Sequence, residues 1–383
     1  MQADQFNIRY LAAMAAIVEH GSVSKGARAV NLTQPAVTQG IAKLERQLGV
    51  ALFDRVPGGM EPTPAARLFT PRAEVALRLI GSNRVTAAQV RAFVALARTG
   101  SYAAAASLLG LSEPSLHRAV ADLGLALGMR LSERRGRGVV LTQGGAALSR
   151  RLRLALAELR QGLEELAALR GQESGRIVVG AMPLSRARLL PASIAAFRRA
   201  YPHIDISVME GSHAELVGPL RDGDVDFMVG ALRGEAIGQE LTEQPLFEDR
   251  PTIFARAGHP LSQGWTADDL RACPWILPPE GTPLRRLWEE MFAALGGALP
   301  RVPIECGSVM TVRQLLLEGD YLTLLSVDQL QVELDGGVVA DIGPAPGEIS
   351  RTIGITTRVD WRPTRSQQHF MAMVGQAARD LAS

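Results

Sequence analysis

The sequence predicts a multidomain chain of two small helical modules, one long helix and a larger α/β region, on three observations. Residues 11–63 align with residues 90–142 at a constant offset of 79, without a gap, and 15 of the 53 pairs are identical. Leu152, Leu156, Leu159, Leu163 and Leu166 recur at the three- and four-residue steps of one helix face. Beyond residue 175, short apolar runs alternate with amphipathic stretches, which is the pattern of strands and helices in a parallel sheet.

Composition narrows the possibilities. With 383 residues, 47% apolar and 21% charged, the chain has ample material for two or three cores. No apolar run reaches the length of a membrane span. Leu11 to Val18 follows Arg9 like the core of a leader, but Asp4 precedes it and Glu19-His20 end it without a cleavage site, so we expect a cytoplasmic protein. In that compartment Cys273 and Cys306 are expected as free thiols, with a redox switch as the alternative.

The net charge of +2 hides a segregation. Residues 1–172 hold 22 Arg and Lys against 12 Asp and Glu, a balance of +10, whereas residues 173–383 hold 19 against 27, a balance of −8. A basic front suits a polyanion, and the acidic back serves another purpose. Only Lys25 and Lys43 are lysines. Without a lysine after residue 43, the body of the chain can build neither a Schiff-base enzyme nor a P-loop.

Each repeat reads as helix, turn, helix, tight turn, helix, then an extended basic hairpin. In copy one Thr33 caps the third helix and Pro35 occupies its first turn, where a missing N–H costs nothing. Val37, Ile41, Leu44 and Leu48 form the buried stripe and Gly49 ends the helix. Gln34, Thr38, Gln39, Lys43 and Arg46 face away. Gln pairs bidentately with adenine in the major groove and Thr touches the thymine methyl, so this face is predicted to read bases. The segment Arg55–Thr63 is the expected wing along the phosphates. In copy two Ser112 is the cap, Leu116, Val120, Leu123 and Leu127 form the stripe, and Glu113, Ser115, His117, Arg118 and Asp122 point outward. Arg118 suits guanine, while Glu113 in a phosphate-flanked groove is unfavourable. Arg134, Arg135 and Arg137 make the second wing more basic, so copy two is expected to read bases more weakly and grip phosphates more strongly.

The stretch 21–63, with Gly21-Ser22, Ala27, TQPAVTQ at 33–39, Leu44-Glu45, Leu48-Gly49 and LFDR at 52–55, resembles the winged helix-turn-helix of LysR-type transcriptional regulators. Copy two resembles it less closely, through SEPSLHR at 112–118 and LTQGG at 141–145. The tandem copy departs from the family's usual single domain, as does Ala66 where the LTxxG ending has glycine. The resemblance implies two all-α winged helix-turn-helix domains at 1–83 and 84–145. It further implies a linker and dimerisation helix at 146–172 and an α/β two-lobed, periplasmic-binding-protein-like effector domain at 173–383. Lobe I would take about 173–249 and 346–383, and lobe II about 250–345. Paired subunits, as a homodimer or homotetramer, would present at least four reading modules.

By position after the strands, the effector cleft is expected to draw on Met182, Ser185, Ser212, His213, Arg233, Thr282, Ser308 and Met310. Helix starts, Ser212 and Arg233 suit a carboxylate, and Met182, Met310 and Trp275 an apolar portion. Asp222, Asp224 and Asp226 alternate like metal ligands but read as a turn and a strand start, so no metal or cofactor is expected. The six histidines lack zinc spacing, and no nucleophile or dinucleotide motif stands in context. The sequence therefore reads as a non-enzymatic, DNA-binding transcriptional regulator controlled by a small anionic metabolite. An enzyme with a fused DNA-binding front and an effector-independent architectural DNA binder are the alternatives. Gln34→Ala is expected to weaken specific binding in a gel shift more than Glu113→Ala does, and equal losses would show that both helices read bases alike.

Overall fold

The computed structural model describes residues 5–56, 59–136 and 138–382, with the side chains of residues 134, 135 and 382 left aside. The chain divides into two units, Met1–Gly175 with Asp222–Asp224, and Arg176–Arg221 with Val225–Ser383.

The first unit opens with α1 (Ile8–His20), α2 (Val23–Ala29) and α3 (Gln34–Leu48), then the hairpin β1 (Phe53–Val56) and β2 (Gly59–Pro62), then α4 (Pro64–Ile80). The series repeats as α5 (Ala87–Thr99), α6 (Tyr102–Leu109), α7 (Glu113–Leu127), β3 (Ser132–Arg135), β4 (Gly138–Leu141) and α8 (Gln143–Leu169). Every element of copy two starts 79 residues after its counterpart. The small residues kept in both copies explain this. Thr63 and Thr142 each cap a helix and donate their hydroxyls back to the main chain, at Ala51 O (2.8 Å) and Arg130 O (2.7 Å). Gly49 and Gly128 close the two reading helices in the left-handed conformation, with φ of 68° and 65°. The hairpins are antiparallel, Phe53 opposite Pro62 and Ser132 opposite Leu141, so the two modules are helical with a two-stranded wing each.

The helix expected to begin near residue 146 starts at Gln143, because Thr142 accepts from the Gly145 N–H at 2.9 Å. Leu152, Leu159 and Leu166 of its stripe are buried. What covers the helix is α4 of the same chain. Arg72 of α4, with its side chain fully buried, donates to Glu158 Oε2 (2.9 Å), Gln161 Oε1 (2.9 Å) and Glu165 Oε1 (2.7 Å) on α8. Gly162 lies against the Phe69 ring, which a β-carbon there would strike. One continuous core runs from Phe6 through Phe69, Phe93 and Leu148 to Leu166 and joins both modules.

The second unit holds β5 (Gly175–Ala181), α9 (Leu189–Ala200), β6 (Ile204–Glu210), α10 (His213–Asp222), β7 (Phe227–Ala231) and β8 (Leu241–Asp249). The chain then passes through β9 (Thr252–Arg256), α11 (Ala267–Ala272), β10 (Trp275–Leu277), α12 (Pro283–Leu295), β11 (Ile304–Glu305), α13 (Val309–Glu318), β12 (Leu322–Leu325), α14 (Val327–Asp335) and β13 (Val339–Pro344). It returns through β14 (Arg351–Arg358) and α15 (Arg365–Ala382). One five-stranded sheet has the order β6-β5-β7-β14-β8, the other β11-β10-β12-β9-β13. The sheets are mixed where a parallel sheet was expected. β5 and β7 are parallel, but the returning β14 runs antiparallel to β7 and β8, and β9 runs antiparallel to β12 and β13. Only two short links, 250–251 and 345–350, join the lobes through these antiparallel strands.

Between β5 and β6 a short turn at Pro183–Arg186 precedes α9, since Arg188 departs from helical geometry. Just before β7, the buried Asp226 carboxylate accepts the Val178 N–H at 2.8 Å. Among the described residues no helix is long and apolar enough to cross a membrane.

Removing Arg72 would leave Glu158 and Glu165 close together in a largely buried seam. Arg72→Ala is expected to cost the first unit about 3 kcal/mol in urea unfolding of the full chain. A loss below about 1 kcal/mol would mean that water reaches the two carboxylates freely.

Candidate nucleic-acid interface and effector cavity

Both reading helices keep their outward faces free of their own modules. On α3, Thr33, Gln34, Pro35, Gln39, Lys43 and Arg46 are exposed and Thr38 is half-buried, while Val37, Ile41, Leu44 and Leu48 are buried. Gln34 Oε1 accepts from the Ser24 hydroxyl at 3.0 Å, and Thr38 donates to Gln34 O at 3.0 Å. Both contacts orient side chains that remain accessible. Gly40 is buried against Tyr10, whose ring leaves no room for a β-carbon, which accounts for a small residue there. Arg55 stands exposed on the first wing.

On α7, Ser112, Glu113, Ser115 and Arg118 are exposed. His117 is half-buried and its ring stacks on Tyr102 with centroids 3.5 Å apart, so the ring face is engaged within the module. Arg134 and Arg135 belong to β3, and Arg137 lies outside the described residues. Sequence reasoning missed the role of Glu45. Its Oε1 accepts the N–H groups of Leu52 (2.8 Å) and Phe53 (3.3 Å), bracing the first wing against α3. Position 124 in copy two is a glycine and cannot do this.

A cavity of about 100 Å³ opens within the second unit, lined by residues of both lobes. An apolar cavity of roughly 150 Å³ takes up benzene, so this one is on the scale of a molecule smaller than that ring. Met182, Ser212, His213, Arg233 and Thr282 line it, among the residues expected from the sequence. Three expected residues stand elsewhere. Ser185 is fully buried and donates to Met182 O at 2.9 Å, Ser308 caps α13, and Met310 on the outer face of that helix is 67% exposed. Trp275 is also buried, in the aromatic cluster with Trp288 and Phe292. Cys306, Gln329 and Arg351 line the cavity without having been expected. Cys306 and Gln329 come from the segment between the two links and Arg351 follows the second, and sequence spacing there carries no trace of which side chains face the cavity.

The wall has a polar and an apolar side. Leu184, Pro278, Leu284, Val312 and Leu325 supply the apolar one. Gly230, at φ 157°, abuts Met182 so closely that a side chain there would displace it from the wall. On the polar side Arg351 is already engaged, through Nε to Asp249 (2.7 Å) and Nη2 to Ser326 (3.0 Å). Arg233 Nε and His213 Nε2, by contrast, are buried without a hydrogen-bond partner. Burial holds the Arg233 pKa below its ordinary value, with Arg286 and Arg351 adding to the depression against the opposing pull of Glu243. Burial, then Arg233 and Arg221, lowers that of His213, so its imidazole is neutral near pH 7. Cys273 and Cys306 carry free thiols, and burial raises the Cys273 pKa, which makes it a poor nucleophile.

Paired exposed reading helices in one unit, and a cationic cavity in the two-lobed other, define a ligand-sensing DNA-binding regulator. The comparisons with known proteins give the family. Residues 8–67 and 87–146 both match the bacterial regulatory helix-turn-helix protein, lysR family, and residues 170–379 match the LysR substrate binding domain. The chain belongs to the LysR family of transcriptional regulators, which bind DNA under the control of a small effector, and it is not an enzyme. It is 31% identical to the HTH-type transcriptional regulator GalR of Pseudomonas putida over 98% of both chains. It is 26% identical to the HTH-type transcriptional regulator PcaQ of Agrobacterium fabrum over 97% of that protein but 78% of this one. Solved structures share the fold: ArgP from Mycobacterium tuberculosis (19% identity, TM-score 0.59, covering 76% of this chain and 96% of that one) and CbnR (22%, TM-score 0.54, 76% and 98%).

The arrangement of charges sets a pH response. Since folded His213 binds its proton less readily than the unfolded chain does, its contribution to stability is full above the ordinary value of 6.5 and is lost as the pH falls through and below it. In Arg233→Ala one nearby cation is gone, and an NMR titration is expected to show the His213 pKa rising; an unchanged value would mean that burial and Arg221 set it.

Proposed function

We propose that the first unit reads an operator while the cavity of the second senses a small carboxylate with an apolar body. Thr33, Gln34, Pro35, Thr38, Gln39, Lys43 and Arg55 serve as the copy-one contacts. Ser112, His117, Arg118, Arg134, Arg135 and Arg137 serve for copy two. Met182, Ser212, His213, Arg233 and Thr282 hold the effector, with Ser185 bonded to Met182 O behind the wall and Ser308 capping α13. The observation that carries the ligand class is the pair of buried nitrogens without hydrogen-bond partners on the polar side of the cavity, Arg233 Nε and His213 Nε2, the latter a donor in its Nε2–H tautomer. A bound anion would satisfy both, whereas a neutral apolar guest would leave the guanidinium buried and unpaired.

We assign the modules to 1–83 and 84–145, the linker to 146–172, and the effector domain to 173–383 with lobes at about 173–249 with 346–383 and about 250–345. The chain acts in the cytoplasm, where its DNA is, as a homodimer or homotetramer. CbnR has been solved with its target DNA, which supports the reading of the front unit.

Two measurements test this. Gel shifts of the full chain against the DNA upstream of its own gene are expected to weaken linearly on a log–log plot of affinity against salt, with a slope of about −0.9 per phosphate contact. Binding that ignores salt, or no binding, overturns the DNA reading. In thermal shift, butyrate is expected to raise the melting temperature of the wild type and not of Arg233→Ala, while butan-1-ol raises neither. A shift by the alcohol equal to that by the acid overturns the anionic class.

A further inference from the structure

The two modules do more than repeat. They are packed as the two halves of a dimer inside one chain. The reciprocity of the α4–α8 contact shows it. Residue 151 is the offset partner of Arg72, and residue 79 the offset partner of Glu158. Arg72 Nη1 donates to Glu158 at 2.9 Å, and Arg151 Nε donates to Leu79 O at 2.9 Å. When residue i of one half meets j of the other, and the counterparts of j and i meet in turn, the contact is isologous and the halves are related by a two-fold axis. Phe6 and Val85, also offset partners, are both buried in the shared core.

The two-fold holds for the scaffold and fails for the reading faces. Gln34, Thr38, Gln39, Lys43 and Arg46 on α3 are matched on α7 by Glu113, His117, Arg118, Asp122 and Leu125. The two amides give way to a carboxylate and a guanidinium, and the two cations at the far end give way to a carboxylate and an exposed leucine. Gln chemistry favours adenine and Arg118 favours guanine, so the halves cannot prefer the same bases.

From this geometry we infer that a single chain is a fused, pseudo-symmetric pair of half-site readers, and that its operator is bipartite with two unlike halves. Copy one reads one half and copy two the other, within the same chain. B-DNA offers local two-fold axes to any symmetric pair of modules, and here the pair is covalently linked, so the second half-site is engaged at an effective concentration set by the packed unit and not by subunit association. The inference rests on the DNA reading above.

Selection of binding sites from random duplexes by the full chain, repeated with the surface variants Q34A/Q39A and R118A, tests it. The wild type is expected to select two adjacent, dissimilar half-sites. Q34A/Q39A is expected to erase base preference in one half and leave the other, and R118A to do the reverse. A palindrome whose halves both degrade in Q34A/Q39A overturns the inference, since two copy-one modules from different chains would then read it. A single half-site with no second element overturns it as well. If the wild type selects no sequence at all, the DNA reading itself fails, a distinct result. Melting curves of both variants, expected to match the wild type because the substituted side chains are exposed, separate misfolding from lost contact.

Discussion

The guanidinium of Arg72 is the point on which the first unit's architecture turns. A buried arginine is tolerable only when its planar fork is filled, and here two carboxylates and an amide oxygen, all from α8, fill it. Those partners sit at residues 158, 161 and 165, on one helical face. An apolar seam between α4 and α8 would let one helix slide along the other. The buried ion cluster permits one register, because any shift by a turn strands at least one charge. That register brings the two modules into one core and sets them in a two-fold relation.

The link between copies contributes the other half of the constraint. α4 ends at Ile80 and α5 begins at Ala87 under a Thr86–Gln89 capping box, so few residues separate the modules. A link this short cannot let them drift apart. Gly81, left-handed at φ 81°, makes the reversal and lies against the Arg151 guanidinium. Local turn chemistry and the long-range seam thus agree on one arrangement, as expected of a sequence with a single native packing.

How much of this could be read beforehand depends on how local the cause is. Caps, the closing glycines and the period of the apolar stripes act within a few residues, so the helices and wings of both copies were legible, down to Thr33, Ser112 and the ends at Gly49 and Gly128. The leucines of α8 announced a face needing cover but could not say what covers it. The cover is α4 of the same chain, some eighty residues earlier, although the face reads equally well as a contact with another subunit. In the second unit the residues just after early strands were legible as cavity wall, which placed Met182, Ser212, His213 and Arg233. Ser185 and Met310 went astray because a short non-helical turn and a helix face, each invisible in spacing, decide where a side chain points. Arg351 was missed because it opens a strand that returns antiparallel from the far lobe, and only the sheet order β7-β14-β8 brings it to the cavity.

The same logic explains which differences between the copies the fold tolerates. Caps and closing glycines have stayed and most core positions remain apolar, with the buried Phe53 matched by Ser132 as an exception, while residues facing solvent have changed character. A further inward change is Glu45 to Gly124. The first wing is pinned to its helix by two N–H groups on a carboxylate, and the second has no such brace. Gly124 instead lets the Met129 carbonyl approach where a β-carbon would crowd it, so the turn into the second wing is tighter. The two wings therefore differ in how they are held as well as in what they carry. A wing pinned to its reading helix couples base contact and phosphate contact directly, whereas the second wing is tied to the turn into α6 instead, through Ser132 Oγ with Tyr102 Oη (3.4 Å) and the Val139 N–H on Gly100 O (3.3 Å). Divergence in sequence preference and divergence in mechanical coupling thus have separate physical origins in this chain: the first in the exposed side chains of α3 and α7, the second in a single carboxylate behind one of them.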